Sequence, residues 1–328
     1  MDFGSIISLT AGEIIGPYTA AYVLCALGLA MHFGYTGLLN FGQAAFAAIG
    51  AYGYSIGVLT FGMDWWAAAL LGIAGAILFA LLLGIPTLRL RADYLAIVTI
   101  AAAQAFYFAV TSSEFVDVTG GSSGLSAFAD SFYALNPIPV GRYEVLGLQL
   151  GEKEIFIRIV GWCVVAVIAL LLFGLTRSPW GRTLKGIRED EDAVRALGKN
   201  VTSYKMQSLI LGGIFAAIGG MVFVIAPETN QPAVWTTNFT FMVWTVLLLG
   251  GAATILGPII GGMIFFALLM FTQGFMEGLV AIGALPFLNT AQVAQIRFLL
   301  VGLALMLLVI FRPQGIFGNK KETFVNAR

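Results

Sequence analysis

The sequence predicts an all-α polytopic membrane protein with about nine transmembrane helices (8–10), its N-terminus outside and its C-terminus cytoplasmic. Three observations carry this expectation. Hydrophobic residues make up 59% of the 328-residue chain and charged residues only 10%, against about 25% charged in ordinary soluble domains. Windows of about 20 residues with few or no charges recur along the chain, and in lipid each must satisfy its own backbone hydrogen bonds, as a helix does. Seven of the 17 basic residues fall between Thr176 and Lys205, and the positive-inside rule puts that stretch in the cytoplasm. A transmembrane barrel would alternate polar and apolar residues, whereas these runs are continuously apolar.

The chain reads as one transmembrane domain, 1–328. In order, the expected spans are 17–33, 36–59, 65–88, 93–112, 155–175, 206–226, 235–256, 258–280 and 292–311. The first 15 residues have room for a partial helix, and Gly257-Pro258 marks a kink or tight joint. No Lys or Arg precedes Arg89, which argues against a secretory signal or an Arg-rich presequence here. Arg89 and Arg91 mark an inner turn, while Asp64 with Trp65 and Trp66 marks an outer edge with an aromatic anchor. The connection 113–154 carries Glu114, Asp117, Asp130, Glu144, Glu152 and Glu154 against Arg142 and Lys153, and is expected to face outward. The connection 176–205 and the tail 312–328, with Arg312, Lys320, Lys321 and Arg328, are expected inside, four spans apart.

Several function classes lack their chemistry. No Gly-Lys-Ser/Thr sequence follows a glycine-rich loop, so the chain has no phosphate cradle of its own. The spans contain no opposite-charge pairs and no acid or histidine series of the kind that relays protons. Cys25 and Cys163 lie in separate apolar spans and read as small buried hydrophobes. His32 is the only histidine and reads as a packed residue. The consecutive carboxylates Glu189–Asp192 point in different directions on a helix, so they cannot share one ion, and no metal is expected.

Two regions carry functional signals. In GLLNFGQAAFAAIGAYG, 37–53, Gly50, Gly53 and Gly57 are small positions suited to close helix packing. Asn40 and Gln43, three apart and flanking Gly42, need partners or water; they either line a translocation path or clamp two helices together. A second glycine- and proline-broken segment, LLLGGAATILGPIIGG, 247–262, contains Gly257 and Gly261, and paired interrupted spans fit an internally repeated transporter. In the inner connection, Ser178-Pro179 starts a helix of up to about 19 residues ending before Gly198. Leu184, Ile187, Val194 and Leu197 form its apolar face, and Glu191 and Arg195 an i,i+4 pair. The acidic run through Glu189, Asp190, Glu191 and Asp192 suits a protein partner better than anionic lipid. Thr119-Gly120-Gly121-Ser122-Ser123-Gly124 reads as a Gly/Ser turn or the lining of a substrate entry.

Five spaced segments, YTGLLNFGQAAFAAIGAYG, LRLRADYLAIVTIA, VTGGSSGL, SPWGRTLKGIREDEDAVRALGKNV and RPQGIFG, resemble the M-type permease subunits of branched-chain amino acid ABC importers, the LivM group. The resemblance runs in order from Tyr35 to Gly318. It implies a non-enzymatic permease in a prokaryotic inner (plasma) membrane, surrounded by lipid and without nucleic acid. Its implied partners are an H-type permease, two cytoplasmic ATPase subunits that use ATP and magnesium, and an extracytoplasmic binding protein delivering leucine, isoleucine or valine. Gly181–Gly198 matches the family's ATPase-coupling segment, with Gly181, Arg182, Ile187, Arg188, Glu189, Asp190, Glu191, Ala193, Leu197 and Gly198 as its expected coupling residues. Thr119, Gly120, Gly121 and Gly124 would face the binding protein, and this chain would bind no cofactor. Urea and short-chain amide importers use related permeases, and an autonomous channel or secondary transporter is the alternative outside that group.

Overall fold

The computed structural model describes residues 3–88, 92–145 and 147–281, with 292, 299, 302–303, 306–307, 310–312 and 314–318. The helices are α1 Phe3–Ile14, α2 Pro17–Leu29, α3 Gln43–Leu59, α4 Trp65–Thr87, α5 Ala92–Thr111, α6 Val116–Thr119, α7 Asp130–Tyr133, α8 Glu152–Arg177, α9 Pro179–Glu189, α10 Glu191–Ala196, α11 Val201–Ile225, α12 Thr237–Gly250 and α13 Leu256–Ala281. A π-helical turn, Ala30–Tyr35, extends α2. Two short antiparallel ladders join β1 Leu125–Ser126 to β4 Thr229–Asn230, and β2 Arg142–Val145 to β3 Leu148–Gly151. The expected span 292–311 lies largely outside the described residues, as do Arg89, Arg91 and most of the tail.

Among the described residues, six helical stretches are long and apolar enough to cross a membrane: Phe3–Tyr35, Trp65–Thr87, Tyr94–Thr111, Glu152–Arg177, Val201–Ile225 and Leu256–Val280. Two expected spans are shorter as helices than their hydropathy suggests. Helix begins at Gln43 rather than at 36, and it ends at Gly250 rather than near 256. At 1.5 Å per residue, α3 rises about 26 Å and α12 about 21 Å, against a hydrocarbon core of about 30 Å. Chain that is not helical, 37–42 before α3 and 251–255 after α12, completes each passage. The second interruption thus falls at Gly251, not at Gly257-Pro258, because Gly251 adopts φ +117° and leaves the helix.

The centre of the bundle is an antiparallel pair, α2 against α11, with α3 packed on α11. Small residues make it. A Cβ on Gly50 would strike the backbone of Ala217, one on Gly219 the Cys25 sulfur and one on Gly220 the Ala47 carbonyl. Gly53 sits against Gly72 and Gly57 against Ala68, which brings α4 onto α3, and Gly72 and Gly84 bring it onto α11 at Met221 and Met206. Gly257 and Gly261 bring α13 against the end of α12 at Gly250–Gly251 and at Val246. Hydrocarbon solvates leucine as well as protein does, so such close backbone approach supplies packing energy that burial alone cannot. Around this core, α4, α5 and α8 turn Leu78, Leu82, Ile97, Phe108, Leu170 and Leu171 outward, an apolar belt suited to acyl chains. Cys25 is buried in the core, whereas Cys163 lies exposed on the outer face of α8 rather than packed.

Gly53→Leu should cost about 1–3 kcal/mol through overpacking, since even a Cβ at 53 comes 2.5 Å from the Gly72 Cα. Gly174→Leu, where a Cβ meets nothing within 4 Å, should leave stability unchanged. Thermal unfolding of the two purified variants in one detergent compares them directly.

Candidate functional site

The first interruption lies deep in the bundle, where each backbone polar group needs a partner. At the end of the π-turn, Leu38 N donates to His32 O at 2.8 Å and Gly37 N, in left-handed conformation at φ +74°, donates to Phe33 O at 3.1 Å. The Thr36 and Ser208 hydroxyls both reach Met31 O at 3.0 Å and touch each other at 2.6 Å. The Gly34 carbonyl accepts from Arg188 Nη1. Beyond the turn, Phe41 N donates to Thr99 Oγ1, Ala44 N to Thr240 Oγ1, and Trp244 Nε1 to Asn40 O, at 3.0–3.1 Å. Four other helices thus satisfy this one stretch of irregular chain.

Asn40 is not on a helix. Its Oδ1 accepts from Gly42 N at 2.8 Å, a local turn that competes with helix and delays α3 until Gln43. Its Nδ2 donates to Gln43 Oε1 at 2.9 Å and to His32 Nδ1 at 3.1 Å. Gln43 Nε2 donates to Cys25 O at 2.8 Å, and His32 Nε2 contacts Leu209 O at 3.0 Å. Because Asn40 presents donors to Nδ1, the network assigns the Nε2–H tautomer of a neutral imidazole. Asn40 and Gln43 are each 0% exposed, so neither side chain borders open space in this conformation. The network ties α2, α3 and α11 together, and His32 was its one member that sequence reasoning left out. A lone histidine inside an apolar span, eight residues before Asn40, was the available signal.

The second interruption is closed differently. Ile316 N and Phe317 N donate to Leu249 O and Gly250 O at 3.0 and 2.9 Å, so the RPQGIFG segment satisfies the free carbonyls at the end of α12. Gly315, at φ +78°, packs on the backbone of Gly251, and Thr254 Oγ1 accepts from Gly257 N at 3.0 Å as α13 begins.

The basic connection is two helices, not one of about 19 residues. Asp190 adopts extended backbone (φ −153°, ψ 101°) and its carboxylate accepts from Ala193 N at 2.9 Å; it caps a new helix and so ends the old one. In α9, capped by Ser178 Oγ on Gly181 N at 3.4 Å, Gly181, Leu184 and Ile187 are buried against the bundle. Arg182 is exposed and donates to Arg177 O at 3.2 Å. Glu189, Asp190 and Ala193 are exposed, and Leu197 is 79% exposed ahead of Gly198 at φ +76°. Glu191 bridges to Arg195 at 2.7 Å and also to Lys205, pinning α10 to α11. Between this hairpin and the ends of α4 and α5 lies a cavity of 260 Å³, bordered by Thr36, Gly37, Thr87, Arg188, Glu191 and Lys205.

At the opposite end, Thr119 to Gly124 form a tight turn. Thr119 Oγ1 reaches Val110 O at 2.8 Å and accepts from Gly121 N at 3.2 Å. Gly120, Gly121 and Gly124 all have positive φ, and Gly124 packs on the Asn230 carbonyl. Asn230 in turn donates to Ser55 Oγ at 3.1 Å and accepts from Trp235 Nε1 at 2.8 Å. The turn therefore braces the α11–α12 connection against α3.

Asn40→Ala should cost about 1–3 kcal/mol, since it strands buried groups on His32, Gln43 and Gly42. Paired with Gln43→Ala the loss should be less than the sum of the single effects, by about 0.5–3 kcal/mol. A double-mutant cycle by thermal unfolding tests this, and strict additivity would rule out a connected network.

The family model for the branched-chain amino acid transport system permease component matches residues 15–310. The chain is 28% identical to the high-affinity branched-chain amino acid transport permease LivM of Escherichia coli, over 92% of this chain and 69% of that one. It is 26% identical to LivH of the same organism, over 92% of both chains. A guanosine ABC transporter permease of Bacillus subtilis is 26% identical over 68% of this chain and 69% of its own. The match to the family model covers both helix interruptions, the α9–α10 hairpin and the Thr119–Gly124 turn, and the chain belongs to the branched-chain amino acid transport permease family, as a non-catalytic membrane component.

Proposed function

We propose that the chain is one half of the transmembrane path of an ATP-driven importer for leucine, isoleucine and valine in a prokaryotic inner membrane. It pairs with an H-type permease, is driven by two cytoplasmic ATPase subunits that consume ATP and magnesium, and receives solute from an extracytoplasmic binding protein. Relatives at 26–28% identity carry the substrate assignment in their names. The guanosine permease among them makes the solute the part to be measured first.

The observation that carries the ATPase partnership is the exposed face of α10. Helix α9 buries its apolar residues on its own bundle, whereas Leu197 at the C-terminal end of α10 is 79% exposed, and Ala193 on that helix and Glu189 and Asp190 just before it are exposed too. An exposed apolar side chain at the end of a short, mostly charged helix is suited to a protein groove rather than to acyl chains. The basic end of the bundle then faces the cytoplasm, and the Thr119–Gly124 turn faces the binding protein. Asn40 and Gln43 act as a clamp that holds the helix interruption in shape while solute passes elsewhere between the two permeases.

Leu197→Asp and Glu189→Lys should each weaken co-purification of the ATPase subunits, by about tenfold in affinity for a contact worth about 1.4 kcal/mol, with monodispersity of the permease unchanged. The decisive assay reconstitutes the complex in liposomes and measures ATP hydrolysis and uptake of labelled leucine with and without loaded binding protein. Uptake that proceeds without ATP would overturn the importer reading in favour of a self-sufficient channel.

A further inference from the structure

Arg188 stands where three parts of the chain meet. Its Nη1 donates to the Gly34 carbonyl, at the C-terminal end of the α2 π-turn, where unsatisfied carbonyls carry negative charge that a cation complements. Gly37, the first residue of the extended segment, packs on the same side chain, a Cβ there falling 3.3 Å from Arg188 Cγ. Gly34 itself lies directly against the backbone of Ala252 and Ala253, within the second interruption. From the hairpin, one side chain thus reaches the carbonyl of Gly34, the residue by which the π-turn leading into the first interruption packs on the second.

We propose that Arg188 is a positioning residue that pins the α9–α10 hairpin to both helix interruptions, rather than a contact for the ATPase; the transport consequence rests on the importer reading above. Among the described residues, Glu191 and Lys205 border the same cavity and pair with each other, and Lys185 lies over the Tyr35 ring. The 260 Å³ cavity beside the hairpin leaves room for it to shift toward α4 and α5. Such a shift pulls on Gly34 through Arg188, and Gly34 cannot move without displacing Ala252. Two segments far apart in sequence are in this way moved by one displacement, which a closely packed two-state element requires. Glycine at 34 is needed for the same reason, since any side chain there would hold the two interruptions apart.

The test compares Arg188→Met and Arg188→Lys with wild type in the assembled complex, by hydrogen exchange and by solute moved per ATP hydrolysed. In Arg188→Met, exchange should rise in both 34–42 and 251–255 while ATPase subunits still co-purify, and solute moved per ATP should fall by about five- to tenfold, at the low end of typical coupling strengths. Arg188→Lys, which keeps a donor and a charge, should recover part of both. Exchange that rises at 34–42 alone, an unchanged transport ratio, or loss of the ATPases with unchanged exchange would each overturn the pin. A wild-type complex that moves no solute with ATP would sink the importer reading alone, and the exchange comparison would still decide whether Arg188 joins the two interruptions.

Discussion

A backbone N–H or C=O left unpaired in the hydrocarbon region costs several kcal/mol, yet this chain leaves its helical conformation twice within the bundle. Several of its buried polar side chains outside the two ends are accounted for by that constraint. Thr99, Trp244 and Asn40 each satisfy a backbone group of the first interruption, and Ser208, Arg188 and Thr240 satisfy groups in the helical turns that flank it. The second is satisfied by the backbone of 316–317. Irregular chain at such depth is tolerated only where protein surrounds it, so α2, α11, α3, α5 and α12 have to converge on 34–44.

Convergence of that kind needs helices that approach closely, and the glycines permit it. Gly28 and Gly212 meet between α2 and α11 beside His32 and Gln43, so one of the close helix contacts of the bundle and its buried polar network occupy one volume. Packing and hydrogen bonding reinforce each other there. The small residues bring Gln43 within reach of the Cys25 carbonyl, and the amide then fixes how α3 lies on α2. This division differs from that of a channel lined by amides, in which carboxamides would present free donors and acceptors to solute.

The α9–α10 hairpin shows how one residue divides an amphipathic sequence into two roles. Capping by Asp190 turns a continuous stripe into an anchored half and a presented half. Helix α9 spends its apolar residues on its own bundle, and α10 keeps Leu197 outward. The consecutive carboxylates are divided too: Glu191 pairs with Arg195 and Lys205 and Asp192 with Arg195 within the chain, Asp190 caps α10, and Glu189 is exposed.

Composition and charge placement determined the class of the protein, because lipid imposes a length and an apolarity on each span that can be read from a window of residues. The glycines at 50, 53, 57, 257 and 261 and the amides at 40 and 43 were likewise visible as departures from what a simple span requires. Where the helices stop was not. Hydropathy is blind to whether an apolar segment is helical or extended, so 37–42 and 251–255 read as span although they are not helix. Asp190 read as one acid among four, since its capping role depends on backbone angles that no local pattern forced. Arg188 read, through the family resemblance, as one of the ATPase-coupling residues on a basic loop. Only the tertiary structure, by bringing the end of the π-turn beneath α9, gave its guanidinium a carbonyl to bind, and with it a route from the hairpin to both interruptions.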